Sequence, residues 1–343
     1  MTVPISASDL TRRQALVALA APALVAAGCR ARPPYDPAAF LLPDTTAVAV
    51  LAARDYALDF AEVIGRGLQT LGLDVRGRRV LLKPNMVEYR PGEAVNTDPR
   101  VVAGAAQALL RAGARRVVVG EGPGHRRDTE FLLASTGLLD VLRDERLEYV
   151  DLNQDDVRIV TLRSRFTGAS SLALPVSVLD ADLVVSMPKL KTHHWAGMTA
   201  SLKNLFGVVP GAVYGWPKNP LHILGIEPSI VDLAATVRPG LAIVDAVVGM
   251  EGDGPIMGTP RRLGCVVMGT DPVAVDATCA RLIGIEPARL GYLRTAARFL
   301  GHLDQKRIAQ RGESLARFAT TFDLLERWRP LREPLAWWER LRT

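Results

Sequence analysis

Six short apolar segments constrain this chain more than any other feature. They lie at 48–51, 79–82, 117–119, Leu183–Met187, 241–245 and 264–268, and they are rich in Val, Ile and Leu. Each is too short for a helix, and the apolar run is nearly continuous rather than alternating, as in strands buried on both faces. Between them lie stretches of helical period. In 99–112, Val102, Ala105, Ala106 and Leu109 fall at i, i+3, i+4 and i+7, with Asp98 as the cap and Pro99 in the first turn. Strands alternating with helices predict an α/β fold: a largely parallel, Rossmann-like sheet with helices on both faces. The 48% hydrophobic and 23% charged content is that of a globular chain.

The apolar segments run directly into polar motifs. Lys83-Pro84-Asn85, the loop 120–125, Pro188 to His194, the Glu251/Asp253 loop and Thr270-Asp271 each follow a strand. Ligands of open α/β sheets bind outside the carboxyl ends of the strands, so these motifs predict one composite cleft. Asn85, Lys189, His193, Glu251 and Asp271 are expected to crowd it. The segment 207–225, rich in Gly and Pro, reads as a long loop insertion and as its wall or lid.

Lysine usage marks the same region. Of the 42 Lys+Arg residues only six are Lys, and Lys83, Lys189, Lys191, Lys203 and Lys218 are five of these. Between Asp182 and Glu227 there is no Asp, Glu or Arg, yet four lysines and three of the five histidines occur there. A chain this biased to Arg keeps Lys where a compact, titratable point charge is needed. The net charge of +6 admits an anionic partner, but the Arg residues are spread rather than blocked, which argues against nucleic acid.

Residues 1–28 read as an export signal. Arg12-Arg13 precede an apolar run that is too short to span a bilayer and ends Ala26-Ala27-Gly28-Cys29. The paired arginines resemble a twin-arginine signal and the last four residues a lipobox. Lipidation of Cys29 would anchor the protein to a membrane on the periplasmic or extracellular side. A Pro- and Ala-rich tether at 29–45, an α/β domain at 46–310 and a helical tail at 311–343 complete the expected organisation. The other cysteines, Cys265 and Cys279, sit in apolar settings and read as buried thiols, so an iron–sulfur cluster is not expected.

Taken together, Lys83-Pro84-Asn85, Asn96-Thr97-Asp98-Pro99, the loop 119–124, 188–193, 201–207 and 249–255 resemble the domain-of-unknown-function family 362 over residues 78–290. That resemblance implies no settled reaction. Some relatives carry a ferredoxin-like segment, whose cysteines this chain lacks.

The candidate residues each carry two readings. Lys189 and Lys191, two apart on an extended segment, are expected to share a face and with Lys203 to hold a phosphate or carboxylate, or to supply a base; the plainer reading is solvated surface. His193 and His194 are either acid/base groups or hydrogen-bonded structural histidines. Lys83, Asn85, Asn96 and Asn204 join as substrate contacts. Gly122 and Gly124 either present N–H groups to an anion or form a turn. Glu251 and Asp253 either ligate a divalent cation or are ordinary loop acids. Two function classes remain open: an enzyme acting on a small anionic substrate, and a membrane-anchored ligand- or cofactor-binding protein.

Overall fold

The computed structural model describes residues 33–124 and 128–334. The segment expected to be an export signal, with Cys29, lies outside these residues, as does His125. Twelve strands are described: β1 Thr46–Ala52, β2 Arg79–Pro84, β3 Arg116–Glu121, β4 Glu148–Asp151, β5 Val157–Thr161, β6 Ser171–Pro175, β7 Leu183–Met187, β8 Lys189–His193, β9 Gly197–Thr199, β10 Leu241–Glu251, β11 Thr259–Gly269 and β12 Ile308–Gly312. The main sheet has the order β12-β1-β11-β10-β7-β2-β3-β4, with β8 on β10 and β9 on β8. β10, β7, β2, β3 and β4 run parallel to one another. β5 and β6 form a separate antiparallel hairpin.

Helices cover both faces, and the strands divide their side chains between two cores with period two. Leu241, Ile243, Val80, Leu82 and Val185 face one core, packed by the helices Phe60–Leu71 and Pro99–Arg111. Ala242, Val244, Leu81 and Val184 face the other, packed by Ile226–Val237 and Pro272–Leu282. Strands buried on both faces explain why these segments are apolar throughout. The helix caps follow the sequence: Asp59 accepts from the N–H groups of Ala61 and Glu62, and Asp98 from that of Arg100. Among the described residues no helix is long and apolar enough to cross a membrane.

Four expectations need correction. β11 runs antiparallel to both β10 and β1, so its C-terminal end lies at the opposite edge of the sheet. Asp271 therefore sits away from the cleft, where it caps the helix Pro272–Leu282 and accepts from the N–H of His302 at 2.8 Å. The segment 207–225 is not a plain loop, because it folds into the short helices Gly211–Tyr214 and Asn219–Ile223. The expected tether is docked from residue 35 onward: Tyr35 stacks on Phe299 with ring centroids 3.9 Å apart, and Phe40 is buried. The boundary at 310 cuts through β12, and the chain beyond it as far as 334 has 3-10 turns instead of α-helices, with Phe322 and Leu331 buried in the domain.

Strand order reverses beside β2. The chain steps from β2 to β3 to β4 in one direction, and β7 returns on the other side of β2. A crevice opens where neighbouring crossovers diverge, at the carboxyl ends of β2, β3 and β7.

Candidate functional site

The floor of the crevice is a buried ion pair. Lys83, next to last in β2, sends Nζ to both oxygens of Glu121, the last residue of β3, at 2.7 and 2.8 Å. Nζ also donates to Pro84 O at 3.0 Å and Asn204 Oδ1 at 3.3 Å. Glu121 accepts two further bonds, from Met86 N–H and Gly122 N–H. Asn204 ties the knot to the sheet by donating to Lys83 O and Ser186 Oγ. Such completeness is what allows two charges to stay buried. Burial lowers the Lys83 pKa, with the Glu121 carboxylate opposing the shift. A Cβ on Gly207 would fall on the Glu121 carboxylate and the Lys83 ammonium, so only glycine fits against the pair.

Above the pair is a cavity of about 200 Å³. Lys83, Lys191, Lys203 and Lys218 line it, with His193, His194 and His222, and Glu121 is the single carboxylate among its lining residues. Lys218 is held by three carbonyls, of Gly122, Gly207 and Val209. Burial pulls its pKa down from 10.5 to about 7. Lys191 donates to Val95 O at 2.7 Å and Pro255 O at 3.3 Å. Burial, then the Lys203 charge, holds Lys191 well below the usual lysine range.

Lys203 differs from the other three. No hydrogen bond or ion pair holds its ammonium among the described residues, and Nζ lies 4.0 Å from the centroid of the Phe206 ring. Burial, with the Lys83 ammonium adding to it, brings its pKa down to about 7. It rides on the short helix Ser201–Asn204, whose first N–H groups are received by the buried Asp276 carboxylate at 2.7 and 3.1 Å. Burial raises Asp276 to about 7 against those bonds.

Two further groups face the same space. His193 Nδ1 accepts from the N–H groups of Trp195 and Ala196 at 3.0 and 3.2 Å, which places the ring proton on Nε2. Burial, then Lys203, keeps this imidazole neutral by lowering its pKa well below 6.5. Asn85 is only 8% exposed, and its Oδ1 is buried without a hydrogen-bond partner among the described residues. An unanswered buried acceptor is costly, and in a cavity it is a place for a ligand's donor.

The structure thus brings together Lys83, Asn85, Lys191, His193, His194, Lys203, Asn204, Gly122 and Gly124. Gly122 does not offer its N–H to an anion, because Glu121 already takes it. Lys189 and Asn96 belong elsewhere. Lys189 Nζ is bound to Asp245 at 2.5 Å and to Tyr56 OH at 2.6 Å, in a separate cleft that Asn96 also lines. The two-residue step from Lys189 to Lys191 faces a five-residue step from Asp245 to Met250 on β10, and this irregularity separates side chains that a regular strand would align. Asn96 bridges Val87 N–H and Glu88 O and shapes the loop after β2.

The expected cation pair does not converge. Glu251 accepts from Asp323 N–H and lies 3.8 Å from Arg261, whereas Asp253 lies 3.7 Å from His194. Among the described residues no group of three His, Cys, Asp or Glu comes together for a metal ion. Sequence reasoning missed Glu121, Lys218, Trp195, Phe206 and His222 as site residues. Glu121 had a readable signal, an acid at the strand end next to that of Lys83. The aromatic residues had none, because Trp195, 53% exposed, acquires its place beside the His222 ring only through the fold.

Comparison with known proteins agrees with the motifs. A thylakoid-associated protein of Synechocystis (sll1697) is 32% identical over 237 residues, 64% of this chain and 70% of the relative. Among solved structures, the lactate racemase apoprotein from Thermoanaerobacterium thermosaccharolyticum aligns with a TM-score of 0.38 and 15% identity, over 65% of this chain and 56% of that one. A protein from Thermotoga maritima aligns with a TM-score of 0.38 and 15% identity, over 64% of this chain and 58% of that one. The sequence profile of the family described as a domain of unknown function (DUF362) matches residues 80–281, and the chain belongs to that family.

Proposed function

We propose that the chain is an enzyme acting on a small anionic molecule, a carboxylate or a phosphate, in the cavity at the carboxyl ends of β2, β3 and β7. One observation carries this reading: four lysines line a cavity whose one lining carboxylate, Glu121, is already spent on Lys83. An anion entering this space meets lysine N–H donors and no free carboxylate to repel it, in a low-dielectric setting where each contact is worth more than in water. Lys191 is the donor that suits the anionic end, and His193 Nε2–H is a neutral donor for an oxygen beside it. Lys203 and Asn85 Oδ1 are the groups left to act on the rest of the molecule. A lysine brought down to about 7 is poised to move a proton at neutral pH, which an anion-binding protein without chemistry does not need.

Thermal shift and calorimetry with a panel of small carboxylates and phosphates test this. Saturable binding of at least one class is expected, and Lys191→Met is expected to weaken it at least about tenfold, about 1.4 kcal/mol. Absence of binding across both classes, or equal binding by the variant, would overturn the reading.

A further inference from the structure

We infer that Lys203 is a carbonyl-reactive amine: the cavity takes a small anion that also carries an aldehyde or ketone carbonyl, such as a 2-oxo acid, and Lys203 Nζ forms an imine with it. The inference rests on the anion-binding reading above and adds the substrate class and a covalent step.

The six lysines separate clearly. Lys83 is held by Glu121 and Lys189 by Asp245, while Lys191 and Lys218 are held by backbone carbonyls. Lys306 is exposed on the far side of the sequence from the cluster. Lys203 alone among them lines the cavity with its nitrogen unspent on any described partner. An amine needs a free lone pair to attack a carbonyl, and desolvation beside a second cation is the arrangement that keeps it unprotonated. Lys203 is set up this way because burial beside the Lys83 cation disfavours its charged form, while the Phe206 ring face, 4.0 Å away, acts in the other direction.

The balance of the step is closed without any co-reactant. The Nζ lone pair attacks the carbonyl carbon, and the carbonyl oxygen takes up a proton. The resulting carbinolamine loses that oxygen as water, nitrogen gives up its protons and the C=N bond forms. Nothing is oxidised or reduced. His193 Nε2–H is a neutral donor for the developing oxyanion, and the buried Asn85 Oδ1 is an acceptor for the carbinolamine hydroxyl. This gives the orphaned Asn85 oxygen a partner that a simple carboxylate, having acceptors only, cannot supply. The anionic end favours the charged form of Lys191 and accepts its third N–H, the other two being used by carbonyls.

Reductive trapping tests the inference. The purified chain is incubated at pH 7 with sodium cyanoborohydride and either glyoxylate or pyruvate, then digested and mapped by mass spectrometry. A single reduced adduct on Lys203 is expected, at least about tenfold over the exposed Lys306 in the same digest. Lys203→Met and Lys203→Arg should lose it. Because Lys306 is an internal reference in the wild-type chain, the result does not depend on the variants folding. Glycolate and propionate, which lack the carbonyl, separate the two levels of the argument. If they bind but no adduct forms with glyoxylate or pyruvate, the imine is wrong and the anion site stands. If none of the four binds and no adduct forms, both are wrong. Equal labelling of Lys203 and Lys306 would mean ordinary lysine reactivity and would also overturn the inference.

Discussion

β8 hands one lysine to each of two clefts, and the two are built differently. In the cleft holding Lys189, the groups around the lysine are answered, and the buried oxygen left over, Glu93 Oε2, is an acid on the rim loop rather than part of that network. Asp245 receives Lys189, the Tyr56 hydroxyl at 2.9 Å, Asp98 N–H at 3.0 Å and Val247 N–H at 3.2 Å. Asn96, on the same cleft, uses both ends of its amide. In the cavity holding Lys191, lysines outnumber carboxylates, and among the described residues neither Lys203 Nζ nor Asn85 Oδ1 has a hydrogen-bond or ion-pair partner. A closed network specifies structure; an open one is stable only because it serves something else. The difference separates a lysine that holds the fold from one that awaits a ligand.

The sharpest way to break this comparison is to open the closed network. Asp245→Ala leaves Lys189 buried and unpaired and strips Tyr56 of its acceptor. A loss of about 3–5 kcal/mol is expected, read as a fall in denaturation midpoint at constant m-value. Anion binding by the folded fraction should persist, since Asp245 does not line the cavity. Loss of binding with little change in stability would reverse the roles assigned to the two clefts.

Much of this was legible in the chain, and the failures have physical causes. Lys83, Asn85, Lys191 and His193 converge because they lie at the ends of, or just beyond, the buried parallel strands β2 and β7, a placement that the apolar runs reveal; Lys203 and Asn204 are returned to the same place by β9, which turns back antiparallel on β8. Strand direction was not legible. A strand buried on both faces is equally apolar whichever way it runs, so nothing in 264–268 betrayed that β11 returns antiparallel and carries Asp271 to the other edge. The absence of acids near Lys189 in sequence was also a poor guide, because its partner Asp245 lies 56 residues on and is brought in by β10. The shortage of lysine in an Arg-rich chain marks positions where a compact ammonium fits. It does not tell a catalytic position from a structural one, and Lys189 fits between Tyr56 and Asp245 for the second reason.

Titration distinguishes the clefts next. Lys203 and Lys218 have folded pKa values of about 7 against an ordinary 10.5. Between those values the unfolded chain holds protons that the folded chain has released, so stability rises with pH across that window. Equivalently, stability present above 10.5 is lost as pH falls through about 7. Asp276, raised to about 7 from 3.8, acts in the adjoining window: its contribution is full below 3.8 and is lost by about 7. Melting temperature followed from pH 7 to 10 should therefore climb, and the difference between wild type and Lys203→Met should isolate the Lys203 share. Lys191 and His193 also feel this charge, and its removal lets their pKa values rise. A wild-type curve that is flat, or that the variant reproduces, would mean that Lys203 is solvated and not part of an open network.

The smallest expected effect is also the most direct comparison, because it sets two asparagines against each other. Asn96→Ala removes an acceptor from Val87 N–H and a donor from Glu88 O, on a loop that must hold its shape for the strand end at Asn85 to stay in place. A cost of about 1 kcal/mol is expected. Asn85→Leu removes an oxygen that is already unanswered. The Asn85 backbone keeps both its bonds with Thr97, N–H to Oγ1 at 2.9 Å and carbonyl from Thr97 N–H at 2.9 Å. Its stability should therefore stay within about 0.5 kcal/mol of wild type, or rise, since an orphaned acceptor is replaced by a side chain of similar volume with nothing to satisfy. Ligand binding should show the opposite order, with Asn85→Leu weakening capture of glyoxylate and Asn96→Ala leaving it nearly intact. Chemical denaturation of the two variants side by side decides the point: if Asn85→Leu costs as much as Asn96→Ala, the Asn85 oxygen is serving the fold, and the cavity is as closed as its neighbour.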